Sequence, residues 1–248
     1  MRVRILGVGM GPQHVTAEVA EALRACDYVV AAAKSDADDL LAARRAIAAS
    51  YALEVVAVPD PRRDRDGTTD VPRYERAVSD WHDARVAAYE RVLAERGGTA
   101  AFLVWGDPSL YDSTIRIVSA IAARGEVEVE YDVLPGISAP QLLAARHRLV
   151  LNDVGRSVHV TTGRRLREAV DAGLDNLVVM LNRVLDLAGL EDWSIWWAGN
   201  LGTASEELVA GRVGDVLPAI EAARARAREA AGWVMDLYLL RRPQDPDQ

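Results

Sequence analysis

Val104-Trp105-Gly106-Asp107-Pro108-Ser109-Leu110-Tyr111-Asp112-Ser113-Thr114 decides the fold. Before it, residues 100–104 are apolar and read as a buried strand; after it, Ile115, Val118, Ile121 and Ala122 recur at helical spacing. A Gly-Asp-Pro turn between a strand and a helix belongs at the carboxyl end of a strand in an α/β sheet, where such sheets bind ligands. Gly106 allows close backbone approach, Asp107 offers a carboxylate, and Pro108 removes an N–H and fixes φ. A plain strand-to-helix turn capped by Asp107 or Ser109 would use the same residues, and the tripeptide alone leaves both readings open.

Upstream, residues 3–8 form an apolar strand running into Gly7-Val8-Gly9-Met10-Gly11-Pro12. A helix begins at Thr16, with an apolar stripe at Val15, Val19, Ala22, Leu23 and Cys26, and with Glu18 and Glu21 in early turns, where the dipole favours anions. Strands over 27–31 and 53–58 flank a helix over 38–49, and this alternation predicts a parallel sheet with right-handed crossovers. Residues 59–72 are polar, charged and rich in breakers, and read as a solvated loop. Pro72 opens a long helix to about Glu95, which Gly97-Gly98 ends. A strand over 127–134 leads into Pro135-Gly136-Ile137-Ser138-Ala139 and a further helix. Beyond it, strands over 157–161, 176–181, 194–198, 206–209 and 233–239, with helices over 164–172 and 213–229, do not strictly alternate, which predicts a mixed sheet. The expectation is therefore an α/β chain of two α/β domains. The N-terminal one, 1–135, has a mostly parallel sheet; the C-terminal one, 136–242, has a mixed sheet; a flexible tail, 243–248, follows.

The chain has 248 residues and a formal net charge of −8, which disfavours a general nucleic-acid binder but allows a locally positive pocket. No apolar run approaches the roughly 20 residues of a membrane span. The N-terminus lacks the long apolar region of a signal peptide, and the single cysteine, Cys26, excludes an internal disulfide and a cysteine-rich metal site. A cytoplasmic protein is expected. His14, His82, His147 and His159 are scattered without metal spacing, so no metal is expected. Gly7–Pro12 departs from the dinucleotide fingerprint: the third glycine comes one residue early, and strand two ends in Ala31-Ala32-Ala33-Lys34 without an acid. An NAD-dependent Rossmann oxidoreductase stays open as an alternative. No phosphate loop, nucleophile elbow or Cys/His pair is present.

Four turns remain, in order: Gly7–Pro12 followed by Thr16, Gly106-Asp107-Pro108, Pro135-Gly136-Ile137-Ser138-Ala139, and a strand end at Val178-Val179-Met180-Leu181-Asn182. Their order and content resemble the tetrapyrrole (corrin/porphyrin) methyltransferase family over most of the chain. Lys34-Ser35-Asp36, Asp60-Pro61-Arg62-Arg63-Asp64-Arg65, Asp80-Trp81-His82-Asp83-Ala84-Arg85 and Trp105 resemble a branch of that family acting in corrin synthesis. Val15, where the family often has Leu, and Gly202-Thr203-Ala204 match it loosely.

The resemblance implies S-adenosyl-L-methionine as cofactor, S-adenosyl-L-homocysteine as its product, and C-methylation of precorrin-5 at ring carbon one with loss of a two-carbon fragment as acetate. Another corrin-ring substrate, or non-catalytic tetrapyrrole binding, would keep the same fold. Implied cofactor residues are Gly9, Pro12, Gly106, Asp107, Pro108, Ile137, Ser138, Met180, Leu181, Asn200 and Leu201. The base for acetate release is left among Asp107, Tyr111, Asp112 and His82; Tyr111 could instead stack on a strand end and Asp112 could serve as a cap. A tetrapyrrole rich in carboxylates requires cations, and Lys34, Arg62, Arg63, Arg65, Arg116 and Arg183 are the candidates. Arg224, Arg226 and Arg228 read as the solvated face of a late helix. The family further implies a homodimer with its active site in the cleft between the domains.

Overall fold

A computed structural model describes residues 1–33, 39–61 and 71–243. Residues 62–70 of the loop expected over 59–72, and residues 244–248 of the tail expected over 243–248, lie outside the described residues. The chain divides into two compact units, Met1–Ile137 and Ser138–Gln248.

The first unit is a parallel five-stranded sheet. Its strands are β1 (Arg2–Gly7), β2 (Tyr28–Ala33), β3 (Glu54–Pro59), β4 (Thr99–Val104) and β5 (Glu130–Leu134), in the order β3-β2-β4-β1-β5. Helices α1 (Ala17–Arg24), α2 (Asp39–Ala49), α3 (Val71–Arg96) and α4 (Thr114–Arg124) connect them. Both sheet faces are covered, which explains why the strands read as continuous apolar runs. On one face Val3, Ile5, Tyr28, Phe102 and Val104 pack with Val86, Tyr89 and Leu93 of α3 and with Ile117, Val118 and Ile121 of α4. On the other, Leu6, Val29 and Leu103 pack with Val19 and Leu23 of α1 and Ile47 of α2. Thr16 caps α1 by accepting the Val19 N–H (3.2 Å). Cys26 is buried just past the end of α1, where burial raises its thiol pKa to about 11.

The second unit is a mixed sheet of β6 (His159–Thr162), β7 (Asn176–Met180), β8 (Ser194–Gly199), β9 (Glu207–Arg212) and β10 (Asp236–Arg241), in the order β6-β7-β10-β8-β9. Only β6 and β7 run parallel; β10 is antiparallel to both β7 and β8, and β9 to β8. Helices α6 (Leu166–Asp171) and α7 (Val213–Ala231) place Leu166, Ala169, Ile220 and Ala223 against Val179, Ile195, Trp197 and Tyr238. Helix α5 (Ala139–His147) opens on a capping box in which Ser138 and Gln141 satisfy each other's backbone N–H groups.

Three expectations are corrected. The helix after the Gly-Asp-Pro turn begins only at Thr114, with Ser113 as N-cap, so neither Asp107 nor Ser109 caps it. Asp60 is not in a solvated loop: its nearly buried carboxylate pairs with Arg85 of α3 at 2.6 Å. The last strand, β10, spans Asp236–Arg241, beginning and ending later than the strand expected over 233–239. Among the described residues, no helix is long and apolar enough to cross a membrane, and no group of three or more His, Cys, Asp or Glu could hold a metal ion.

Candidate active site

Strands β4, β1 and β5 are neighbours and parallel, so their carboxyl ends come together. Gly7 lies beside Val104 and Leu6 beside Leu134, which brings the Gly7–Pro12, Gly106–Pro108 and Pro135–Ile137 turns to one edge of the first unit. The chain passes from β4 to β5 across β1, a change of direction of the kind at which open α/β sheets bind ligands. Gly9 and Gly106 exchange hydrogen bonds, Gly106 N–H to Gly9 O at 2.7 Å and Gly9 N–H to Gly106 O at 3.2 Å. Gly7 and Gly136 are glycines for space: a Cβ on either would overlap backbone of the other, and one on Gly136 would also strike Gly106 O.

Asp107 is the clasp between these turns. One carboxylate oxygen accepts the Ser109 N–H (2.8 Å) and hydroxyl, and the other accepts the Gly136 N–H (2.9 Å). Burial raises its pKa, but these three bonds outweigh burial and hold the carboxyl below its ordinary value. Such a group is a weak base and a good brace.

Tyr111 follows with φ 53°, left-handed backbone that costs a bulky residue about 1–2 kcal/mol. Its ring is nevertheless half exposed. Asp112 accepts the Thr114 N–H at 2.6 Å, the capping use the sequence had left open. Arg116, in the first turn of α4, is exposed and its side chain makes no hydrogen bond or ion pair among the described residues. On α3, His82 meets Trp81 edge to face, and the Arg85 guanidinium lies 4.1 Å from the centroid of a Trp81 ring. The Asp60–Arg85 pair thus joins two of the stretches that carried the resemblance. Lys34, Arg62, Arg63 and Arg65 lie outside the described residues.

In the second unit, Met180, Leu181, Asn200 and Leu201 gather where β7 and β8 end and β10 begins. Leu181 (φ 56°) and Asn200 (φ 48°) both have left-handed backbone. Leu181 is 62% exposed, an arrangement that folding alone gives no reason to keep. Asn200 and Leu201 are buried, so they can offer a ligand backbone only. The Asn200 amide donates to Ser205 Oγ (3.0 Å), Ala227 O and Trp233 O, while its carbonyl accepts the Met235 N–H (2.8 Å). Arg183 has an exposed, unpaired side chain among the described residues.

Sequence reasoning missed Asp236 and misread Arg224. Arg224 is not on a solvated face; its side chain is 17% exposed and pairs with Asp236 at 2.8 Å. It also donates to Asn182 O (3.2 Å) and Arg183 O (3.1 Å). Asp236 further accepts the Trp197 indole N–H at 3.3 Å, and burial pushes its carboxyl above the ordinary range despite Arg224. A lone carboxylate opening the apolar run Asp236–Arg241 was the available signal, because a buried charge requires a partner. Arg226 does keep to the surface, paired with Glu207 at 2.8 Å.

The edge of the second unit has surface that suits the base of a nucleoside cofactor. Exposed apolar Leu181 and partly exposed Met235 offer a face for a base, and Asn182 Oδ1 is buried without a partner beside them. A family model for Tetrapyrrole (Corrin/Porphyrin) Methylases matches residues 2–217. The chain is 42% identical to a Precorrin-6A synthase [deacetylating] from Sinorhizobium sp, covering 100% of this chain and 97% of that one. A cobalamin synthesis related protein (CobF) from Corynebacterium diphtheriae shares 34% identity and a TM-score of 0.82, over 97% of this chain and 98% of that one. At 19% identity and TM-score 0.56, over 97% and 92% of the two chains, a uroporphyrin-III C-methyl transferase from Thermus thermophilus complexed with S-adenyl homocysteine shares the fold. The chain belongs to the tetrapyrrole (corrin/porphyrin) methylases.

Proposed function

We propose that this chain is an S-adenosyl-L-methionine-dependent C-methyltransferase of cobalamin biosynthesis. It methylates precorrin-5 at ring carbon one and releases the two-carbon fragment as acetate, giving precorrin-6A and S-adenosyl-L-homocysteine. The observation that carries this reading is the end-to-end likeness to a precorrin-6A synthase [deacetylating]. The bound cofactor supplies a methyl already activated on a sulfonium, so the chain needs no nucleophile of its own. Its residues have to orient the reactants and exclude water from the transfer.

In the first unit, Gly9, Pro12, Gly106, Asp107, Pro108 and Ile137 hold the cofactor, largely by backbone. In the second, Ser138, Met180, Leu181 and the backbone of Asn200 and Leu201 do the same. Asp107 fixes the turn. Water enters the cleavage of the two-carbon fragment, and of Asp107, Tyr111, Asp112 and His82 we favour the exposed Tyr111 hydroxyl to handle its proton, since Asp107 is bonded through both oxygens and Asp112 braces Thr114. Arg116 and Arg183 take substrate carboxylates, together with Lys34, Arg62, Arg63 and Arg65.

The enzyme works as a cytoplasmic homodimer, an assembly that analytical ultracentrifugation reads directly. The catalytic test is incubation with S-adenosyl-L-methionine and precorrin-5, following acetate and methylated product by mass spectrometry. Formation of both is expected; methylation of a different precorrin with no acetate would move the chain to another step of corrin synthesis. Binding of NAD in place of S-adenosyl-L-homocysteine in calorimetry would replace the reading altogether.

A further inference from the structure

The turn after β7 carries a conformational problem. Leu181 is left-handed and largely exposed, with no glycine to ease the backbone and little burial to hold it. The carbonyls of the next two residues, Asn182 O and Arg183 O, both accept from one guanidinium, that of Arg224, at 3.2 and 3.1 Å. The same guanidinium is fixed through its Nε to Asp236, the first residue of β10, whose carboxylate is also held by Trp197 of β8. Asn182 closes the circuit, donating from Nδ2 to Asp236 O at 3.1 Å. Arg224 thus ties the turn after β7 and the start of β10 to α7, at the edge where Leu181 is displayed. A planar fork is required: a single ammonium could satisfy Asp236 but not, from the same position, two carbonyls and a carboxylate.

Resting on the function proposed above, we infer that the Arg224–Asp236 pair is a positioning device for the cofactor, holding the Leu181-Asn182-Arg183 turn in its binding conformation. Arg224 touches backbone rather than cofactor, and acts through Leu181. Burial that penalises the Asp236 charge makes the pair expensive to leave half intact, so a single substitution confounds positioning with folding. Removing both charges together leaves no orphaned charge, a change that an apolar pair of similar volume tolerates, and leaves the neutral Trp197 N–H without its acceptor.

The experiment compares the full-length wild type with Arg224→Lys and with the double variant Arg224→Met/Asp236→Leu. S-adenosyl-L-homocysteine binding is measured by calorimetry, amide exchange over residues 181–185 without ligand, and kcat and KM with substrate. In the double variant we expect at least tenfold weaker S-adenosyl-L-homocysteine binding, faster exchange confined to 181–185, a raised KM for S-adenosyl-L-methionine and a kcat within about threefold of wild type. Arg224→Lys should recover folding but not the affinity, because it keeps the charge and loses the fork. Unchanged affinity or unchanged exchange in the double variant overturns the inference, as does a fall in kcat with KM unaltered. A wild type that binds no S-adenosyl-L-homocysteine refutes the proposed function instead, and is read before any variant is compared.

Discussion

Asp107 braces the turn on which the family resemblance was first read. Both carboxylate oxygens accept hydrogen bonds, and the bond to Gly136 links two of the turns that meet at the sheet edge. Replacing it by Asn keeps the shape but turns an amide N–H toward one of these donors, at about 1.5–3 kcal/mol for hydrogen bonds to a charged group. The carboxyl is held below its ordinary pKa, so its contribution is present above the unfolded value and is lost as pH falls through the folded one. D107N should therefore melt below wild type at pH 7, and the gap should close below the ordinary carboxylate range; a gap independent of pH would refute the ionised role. Tyr111 makes the converse case. Glycine relieves its left-handed backbone, so Y111G should melt no lower than wild type and yet lose at least tenfold in acetate release. Loss of stability without loss of turnover would show the ring to be packing. The sequence displayed both residues because their turn stands alone between a strand and a helix. It hid Arg224, whose burial depends on facing Asp236 from another element, a relation that helical periodicity cannot express.

At the scale of elements, the parallel half was legible because its strands are buried on both faces and its helices carry caps and glycine stops, as at Thr16 and Gly97. The mixed half was legible as strands but not as an order. β10 lies between β7 and β8, a placement set by packing rather than by local pattern. The long polar run after β3 hid Asp60, whose pairing with Arg85 needs α3 already in place. Asn200 is the corresponding knot in the second unit, joining the end of β8 to α7, Trp233 and Met235. Truncating it strands several buried groups, and N200A should lose on the order of 3 kcal/mol. N200G loses the same bonds but accepts φ 48° freely, so it should be more stable than N200A by about 1 kcal/mol in urea melts. Equal stabilities would mean that the left-handed backbone at 200 is not maintained in solution.

For the whole molecule, the central tension is charge. The chain is acidic, at −8, and its proposed substrate is an anion carrying many carboxylates. Beyond about 8 Å in physiological salt the net charge is screened, so recognition depends on cations at contact distance. Many described arginines are already ion-paired, as Arg96 is to Glu54, Arg146 to Glu206 and Arg226 to Glu207. Arg116 and Arg183 are exposed and have no such partner among the described residues. Arg116 moreover occupies the first turn of α4, where the dipole disfavours a cation and no acidic residue offsets it. An unpaired cation in an unfavourable place is what an anionic ligand would make worthwhile. Replacing both by Gln should raise KM for precorrin-5 by at least tenfold, about 1.4 kcal/mol. Affinity for S-adenosyl-L-homocysteine, a nearly neutral zwitterion, should stay unchanged. The variant should also show a flatter rise of KM with added salt than wild type, since fewer charge pairs remain to screen. A KM that rises equally steeply with salt in both proteins would place the substrate's carboxylates against other cations, and would remove these two arginines from the site.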